Sequence, residues 1–117
     1  MLEFDMTIWR SQSDTPAIAT KIGTPALLEQ LGEECAELGK AALKEARRLR
    51  NENPTPVTEK EARENLAEEA ADVMNCLVEL SRIYFDVDQY GTIRARKVKR
   101  WHERLADFFK KKEGKSK

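Results

Sequence analysis

The chain is poor in the residue types that hold several classes of small protein together. Its 117 residues include one histidine, two cysteines, four prolines and five glycines, and aromatic residues make up 7%. The two cysteines, Cys35 and Cys76, form neither a disulfide framework nor a CxxC metal motif, and we interpret both as core residues. No apolar run approaches the ~20 residues of a transmembrane helix. These absences argue against a disulfide-stapled domain and a membrane-spanning chain.

Charge of either sign is abundant, but the two signs cancel. The chain has 21 Lys and Arg against 21 Asp and Glu, and its mean hydropathy is −0.68. A net charge of zero argues against a protein that coats a nucleic-acid polymer. The acidic N-terminal sequence MLEFDMTIW lacks the charge pattern of a signal peptide, which favours a cytoplasmic protein without a membrane partner.

The charges are nevertheless segregated along the chain. Residues 94–117 have 11 Lys and Arg and 3 Asp and Glu, a net charge of +8, whereas residues 1–93 have 10 and 18, a net charge of −8. The length fits a single domain over 1–117 with a modest core, which favours a homodimer or homotetramer. Within it we expect an N-terminal arm over 1–23 and a flexible basic tail over 111–117.

Proline and glycine mark the ends of the first long helix. Thr24 before Pro25 predicts an N-cap with proline at the first helical position. The proline-free segment that follows is rich in Leu, Ala, Glu and Lys and predicts a helix to Arg50, before an Asn-Pro-Thr-Pro linker. A short helix from about Asp14 is also expected within the arm.

Two further helices are predicted after the linker. Thr58 and Glu61 form a capping box, and the second helix should run from there to about Phe85. Residues 86–91 read as a turn, and a third helix is predicted from a cap at Thr92 to about Lys110.

Each predicted helix has one apolar stripe at helical spacing. The stripes predict an all-α helical bundle whose core is completed by a partner subunit. The first stripe contains Leu27, Leu31, Cys35, Leu38, Ala42 and Leu49. The second contains Ala62, Leu66, Ala70, Val73, Leu77, Leu80 and Tyr84. The third contains Ile93, Val98, Trp101, Leu105 and Phe108.

The first two long helices share a short repeat. LGEECAEL in the first matches LAEEAADV in the second at an offset of 35 residues, with four of eight positions identical. At about 100° per residue, Glu34 lies about 60° from the centre of its stripe and Glu37 about 120°. Glu69 and Asp72 take the same places in the second helix. Antiparallel packing would therefore bring four carboxylates around one partly enclosed volume.

Four carboxylates at close quarters repel one another, and they are costly to desolvate. Basic side chains or protonation would offset this cost, but oxygen-only ligands of this charge suit Mg²⁺, or Mn²⁺, best. A magnesium ion that keeps several waters normally binds a phosphate substrate as well. The alternative is that each ExxE pair is an ordinary solvated helix face. A carboxylate-bridged di-iron site is disfavoured because no acid stands three residues before His102, the only histidine.

At these residues the sequence resembles the MazG-like all-α nucleotide pyrophosphohydrolases. This superfamily includes dimeric dUTPases, dCTP pyrophosphatases and phosphoribosyl-ATP pyrophosphohydrolases, and its signature is EExxE followed by ExxD. The resemblance covers roughly residues 9–101, with a spacer between the two motifs somewhat longer than usual. It implies hydrolysis of a (deoxy)nucleoside triphosphate to the monophosphate and pyrophosphate. It also implies that Glu34, Glu37, Glu69 and Asp72 bind Mg²⁺.

The resemblance assigns further roles with looser matches. Glu33, the leading acid of EExxE, would orient or deprotonate the attacking water, or is a solvated residue. Lys97 and Arg100 match a basic KxxR(W) pattern and would hold phosphate oxygens, or belong to a solvated basic face. Lys40 and Asn75 are further candidate substrate contacts, or are ordinary surface residues. Trp9 would stack on the base, although a single tryptophan near a chain end more often packs on the core.

Two functions of different classes follow from the sequence. The first is an Mg²⁺-dependent nucleotide pyrophosphohydrolase that acts in nucleotide metabolism, with a phosphoribosyl-ATP substrate as a variant. The second is a non-enzymatic helical module whose stripes bind a partner helix. The sequence does not indicate the base preference of the enzyme.

Overall fold

A computed structural model describes residues 18–51 and 57–115 of the chain, with the side chain of residue 115 left out. The described residues form four helices: α1 (Ile18–Ile22), α2 (Thr24–Arg50), α3 (Glu59–Ile83) and α4 (Val87–Lys115). No strand occurs in these two ranges, so the predicted all-α class is confirmed. None of the four helices combines the length and apolar character needed to cross a bilayer. The predictions for Asp14 and Trp9 fall outside the described residues.

Helix α2 begins one residue away from the predicted cap. Its N-cap is Gly23, with φ of 90°, and Thr24 is already the first helical residue, with no side-chain capping bond. This positive φ favours glycine because a Cβ is strained there. The predicted end at Arg50 is confirmed, since Asn51 caps the helix in the left-handed conformation and its N–H donates to the carbonyls of Arg47 and Arg48.

Helix α3 opens with the predicted capping box. The N–H of Glu61 donates to Thr58 Oγ1 at 3.1 Å, and the N–H of Thr58 donates to Glu61 Oε2 at 3.3 Å. The helix ends at Ile83, two residues before the predicted end.

Helix α4 starts earlier than predicted. The cap expected at Thr92 is wrong, because Asp86 Oδ1 already accepts from the N–H groups of Asp88 at 3.0 Å and Gln89 at 3.2 Å. Thr92 lies inside the helix, and its Oγ1 donates to the carbonyl of Asp88 at 3.1 Å. The aspartate therefore acts as the N-cap in the segment that was predicted to be a turn.

The C-terminal part of α4 extends into the predicted tail. The helix continues through residues 111–115. Lys111 Nζ lies 3.3 Å from Asp107 Oδ2 in an i,i+4 ion pair, and no proline interrupts this stretch.

The chain separates into two compact units, Met1–Tyr84 and Phe85–Lys117. In the first unit, α2 and α3 form an antiparallel hairpin, and the short helix α1 packs on both. In the second unit, the rings of Phe85 and Tyr90 stack with their centroids 6.3 Å apart at the start of α4.

The face of α2 that packs on α3 contains charged residues. Its buried and half-buried members follow alternating steps of three and four, the heptad spacing of paired helices. These members are Leu27, Leu31, Glu34, Leu38, Ala41, Glu45 and Arg48. The matching members of α3 are Ala62, Leu66, Glu69, Val73, Cys76 and Leu80. Each lies 35 residues, or five heptads, after its counterpart in α2, so the repeat preserves the packing register.

This packed face corrects the predicted stripes. Cys35, Ala42 and Leu49 are exposed on α2. Ala70 is exposed on α3, and Tyr84 is exposed at the C-cap that follows it. The packed face follows the 3.5-residue period of helix pairing, which turns it toward Glu34 and Glu69 and away from residues chosen for apolarity alone.

The small core lies where α1 meets the C-terminal half of α3. Its buried apolar residues in the described ranges are Ala19, Leu27, Cys76, Val78 and Leu80. Glu79 is also buried, at 5% exposure. Its carboxylate accepts from the backbone N–H of Ile18 and from Arg82 Nη1 at 3.2 Å, which ties α1 to α3.

Candidate metal centre

Three predicted carboxylates converge where α2 and α3 pack together. Glu34, Glu69 and Asp72 each place one carboxylate oxygen within 4.8 Å of the other two. Glu34 and Glu69 are half-buried members of the packed face, and Asp72 is exposed one turn further along α3. Both half-buried acids occupy heptad positions that face the opposite helix, which explains why their side chains meet.

This crowding perturbs Glu69. Burial is the main factor that raises the pKa of its carboxyl group above the ordinary value of 4.5. Repulsion raises the pKa further and comes, in decreasing order, from Glu37, Asp72, Glu34 and Glu68. The pKa therefore reports a partly desolvated site where excess negative charge costs free energy.

The three carboxylates could hold a metal ion. Neighbouring oxygens around an octahedral magnesium ion lie about 3 Å apart, since each Mg–O distance is about 2.1 Å. The three oxygens lie within 4.8 Å of one another, so the side chains would move inward to reach that geometry. Gln30 Nε2 donates to Glu34 Oε1 at 2.7 Å, which orients this carboxylate from outside the cluster.

The other two predicted acids stand apart from the group of three. Glu37 is exposed and lines a cavity beside Glu69, but it does not belong to the group of three. Glu33 is exposed on α2 and lines neither cavity described below. The structure therefore brings three of the five acids together and places Glu37 at the edge.

Two cavities flank the carboxylates. One, here called the lysine cavity, has a volume of about 170 Å³ and lies between the C-terminal half of α2 and the start of α3. The other, here called the α1 cavity, has a volume of about 310 Å³ and lies between α1, the start of α2 and the end of α3. The lysine cavity is lined by Glu37, Lys40, Ala41, Lys44, Glu45, Arg48, Val57, Ala62, Asn65 and Glu69. The α1 cavity is lined by Ile18, Ile22, Leu27, Gln30, Glu34, Asp72, Asn75, Cys76 and Glu79.

The internal repeat relates the two cavities. Seven lining positions of one cavity correspond to seven of the other at the offset of 35 residues. The pairs are Glu37 with Asp72, Lys40 with Asn75, Ala41 with Cys76, Lys44 with Glu79, Leu27 with Ala62, Gln30 with Asn65, and Glu34 with Glu69. The hairpin thus has an approximate two-fold arrangement around the carboxylates.

The predicted substrate residues fall in different places. Lys40 lines the lysine cavity, and Asn75 lines the α1 cavity. Lys97 and Arg100 are exposed on α4 in the second unit. Trp9 lies outside the described residues, and His102 is exposed on α4.

Several residues of the lysine cavity were missed from sequence. Arg48 donates to both carboxylate oxygens of Glu45, from Nε at 3.0 Å and from Nη2 at 2.6 Å. Lys44 lines the same cavity one turn after Lys40. The signal was available, since Glu37, Lys40, Lys44 and Arg48 follow i, i+3, i+7 and i+11 spacing on one helix face.

The cysteines have different environments. Cys76 is buried, as predicted, and burial is the first cause of the raised pKa of its thiol, followed by the charges of Glu34, Asp72 and Cys35. Cys35 is exposed, so its interpretation as a core residue is wrong. The packed face passes through the neighbouring Glu34 instead.

No protein-family model matches the chain, and no curated protein or solved structure is significantly similar to it.

Proposed function

We propose that the protein is a divalent-cation-dependent nucleotide pyrophosphohydrolase. It would hydrolyse a (deoxy)nucleoside triphosphate to the monophosphate and pyrophosphate, with Mg²⁺ as the cation and Mn²⁺ as a substitute. The convergence of Glu34, Glu69 and Asp72 beside two cavities carries the proposal. The resemblance of the EExxE and ExxD motifs to those of the MazG-like enzymes supports the same reaction.

In this proposal, some acidic residues hold the cation and another accepts a proton. Glu34, Glu69 and Asp72 would hold the cation, and Glu37, which borders Glu69 in the lysine cavity, would complete the ligand set. A cation bound there neutralises phosphate charge and lowers the pKa of a water that it holds. Glu33 is the proposed acceptor of the proton that the attacking water loses. Water adds to the α-phosphorus, the bond to the bridging oxygen breaks, and pyrophosphate leaves.

The two cavities of the first unit would supply substrate contacts, and the sequence adds separate candidates on α4 and at Trp9. Asn75 and Lys40 would contact the nucleotide from the α1 cavity and the lysine cavity. Lys97 and Arg100 belong to the basic face of α4, and Trp9 is a candidate for stacking on the base. The proposed ligand is a nucleotide. We propose no binding to a nucleic-acid polymer or to a membrane. The cytoplasmic location remains a prediction.

The reaction can be tested by measuring pyrophosphate release. The assay uses a panel of dNTPs, NTPs and phosphoribosyl-ATP, with Mg²⁺, with Mn²⁺ and with EDTA. Asp72→Asn and Glu37→Gln are expected to lower turnover at least a hundredfold if both acids contact the cation. Glu64→Gln, an exposed acid of α3, is the matched control. Lack of turnover with every substrate and either cation would refute the enzyme.

We also propose that the protein is a homo-oligomer. The described residues contain few buried apolar side chains for a chain of this length, and α4 exposes several large ones. Trp101 is 66% exposed, Phe108 59% and Phe109 54%. Because α4 is basic and residues 1–93 are acidic, a second copy offers surfaces of complementary charge.

The exposed face of α4 also supports the second candidate, a helical interaction module. Such a module would bind an acidic partner through this face and would leave every nucleotide intact. The same assay separates the two functions, since a module requires neither divalent cations nor Asp72.

A further inference from the structure

The two cavities are related by the repeat, but their charges differ. Lys40 and Lys44 of the lysine cavity correspond in the repeat to Asn75 and Glu79 of the α1 cavity. An approximately symmetric hairpin therefore has one cationic flank and one flank that carries an amide and an acid.

Lys40 and Lys44 differ from Arg48 in having no polar partner among the residues that the structure describes. Neither Lys40 nor Lys44 forms a hydrogen bond or ion pair within the described part of the chain, and both side chains are exposed. Arg48, the third cation of the cavity, is held by both oxygens of Glu45 at 3.0 and 2.6 Å. Two ammonium groups thus remain available for an anion at the cavity wall.

Acidic and basic groups face the same space in the lysine cavity. Glu37 and Glu69 lie at one side, and Lys40 and Lys44 follow at steps of three and four along α2. A cation held by the acids and an anion held by both the cation and the lysines would fill such a space with balanced charge. Polyphosphate complexed with a divalent cation has this distribution of charge.

The α1 cavity does not suit the same anion. Its Glu79 corresponds to Lys44, and the Glu79 carboxylate is already engaged with the N–H of Ile18 and with Arg82. The remaining wall includes Ile18, Ile22 and Leu27 and carries no lysine or arginine. Away from the carboxylates, this cavity offers an apolar surface with two amides, Gln30 and Asn75, which suits an uncharged group.

We propose that Lys40 and Lys44 bind the β- and γ-phosphates of the substrate in the lysine cavity, so that the nucleoside extends toward the α1 cavity. The assignment rests on the proposed function for the identity of the substrate. Each lysine donates to phosphate oxygens and holds the negative charge of departing pyrophosphate. Lys44, which carries no assignment from the sequence motifs, becomes a second phosphate contact one turn beyond Lys40.

The test measures binding of pyrophosphate by isothermal titration calorimetry in the presence of Mg²⁺. Lys44→Gln and Lys40→Gln are each expected to weaken binding about tenfold, as the loss of a charge-assisted hydrogen bond predicts. Lys60→Gln is the matched control, because it removes an exposed lysine of α3 that forms a 3.8 Å pair with Glu64 and does not line the lysine cavity. Thermal unfolding of each variant establishes that it is folded, and Lys44→Arg should restore most of the affinity.

Steady-state kinetics provide the second readout. In Lys44→Gln, KM for a nucleoside triphosphate should rise about tenfold, together with the inhibition constant of pyrophosphate. Lys97→Gln and Arg100→Gln test the competing location on α4. If these variants lose pyrophosphate affinity while Lys40→Gln and Lys44→Gln keep it, the proposal is wrong.

Binding and turnover separate this proposal from the proposed function. If no nucleotide is hydrolysed but pyrophosphate binding depends on Lys40 and Lys44, the anion site stands and the enzyme does not. If nucleotides are hydrolysed and Lys44→Gln behaves as the wild type, the enzyme stands and the anion site does not. Wild-type protein that binds no pyrophosphate in the presence of Mg²⁺ overturns the anion site.

Discussion

The carboxylates at the meeting of α2 and α3 destabilise the hairpin that brings them together. Glu34 and Glu69 take places that apolar residues normally occupy between paired helices, and Asp72 adds a third charge within 4.8 Å. A ligand of opposite charge would recover the free energy that this repulsion costs. If the carboxylates hold a cation, as proposed, cation binding should therefore stabilise the fold.

The protein should become more stable when Mg²⁺ is added. At a concentration 100 times the dissociation constant, one bound ion adds about 2.7 kcal/mol to the free energy of unfolding. Glu69→Gln and Asp72→Asn should abolish most of the rise in Tm, whereas Glu64→Gln should keep it. Differential scanning calorimetry with and without EDTA measures the effect. An equal rise in Tm in all three variants would show that the ion binds elsewhere.

A second residue-scale prediction concerns Glu45. Its hydrogen bonds with Arg48 are the main cause that lowers the pKa of its carboxyl group below 4.5, against the opposing effect of burial, and the charges of Arg48 and Arg63 also lower it. The Glu45–Arg48 pair therefore stabilises the fold fully at a pH above the pKa that Glu45 has in the unfolded chain. This contribution is lost as pH falls through the lower pKa that Glu45 has in the folded protein.

The measurement compares Tm across pH. Glu45→Gln should melt below the wild type at pH 7. The difference should shrink as pH falls below the ordinary carboxyl pKa of 4.5 and through the lower pKa of folded Glu45, because the wild-type carboxylate then takes up a proton. Glu64→Gln, which removes an exposed 3.8 Å pair, should change Tm little at any pH. A pH-independent difference for Glu45→Gln would mean that the charge of Glu45 is not what stabilises the hairpin.

At the scale of elements, local capping chemistry decides where the helices begin. Thr58 and Glu61 exchange both bonds of a capping box at the start of α3, and Asp86 accepts two backbone N–H groups at the start of α4. These bonds satisfy donors that the first turn of a helix otherwise leaves unpaired.

Removal of the α3 cap should destabilise the protein by about 1 kcal/mol. Thr58→Ala eliminates the hydroxyl that accepts from the N–H of Glu61, and chemical denaturation followed by circular dichroism measures the loss. Thr92→Ala is the matched control, since Thr92 lies inside α4 and alanine has the higher helix propensity. A loss in Thr92→Ala as large as that in Thr58→Ala would contradict the role of the cap.

Some helix ends could be predicted from the sequence alone. The capping box at Thr58 and the end of α2 at Arg50 are local signals, and both are confirmed. The start of α4 was predicted at the wrong residue because Asp86 and Thr92 can both cap a helix. Which of them does so depends on the conformation of the preceding chain.

Helix periodicity was enough to predict which acids of the candidate site face each other. The repeat placed Glu34, Glu69 and Asp72 on facing edges, and these three do meet. The stripes were chosen from apolar residues at the period of an isolated helix, whereas the packed face follows heptad spacing. This spacing leaves Cys35 exposed and puts charged Glu34 between the helices. Lys44 was missed because its importance depends on a cavity formed by two helices.

For the whole molecule, the opposed charges of the two parts of the chain matter most. Residues 94–117 carry a net charge of +8 and residues 1–93 carry −8. The acidic part contains the carboxylate cluster, and the basic part contains most of α4 with its exposed aromatic side chains. In the proposed homo-oligomer, the basic part of one copy and the acidic part of another would have complementary charge.

Light scattering after size-exclusion chromatography should therefore give a multiple of the chain mass of 13.4 kDa. Trp101→Ala should weaken the assembly by about 2 kcal/mol or more, because exposed tryptophans of this kind are typical interface hot spots. Arg96→Ala, a substitution on the same helix at an exposed cation, is the comparison. A monomeric mass at micromolar concentration would exclude the homo-oligomer.

Because the hairpin is approximately symmetric, the orientation of a bound ligand depends on differences between its two flanks. A site with two identical flanks would accept an elongated ligand equally well in either orientation, and only one orientation would expose the α-phosphorus to the attacking water. In the proposed nucleotide complex, Lys40 and Lys44 on one flank, and Asn75 and Glu79 at the repeat-related positions of the other, would remove that ambiguity. The two differences between the copies would then let a nearly two-fold scaffold distinguish the phosphate end of a nucleotide from its nucleoside end.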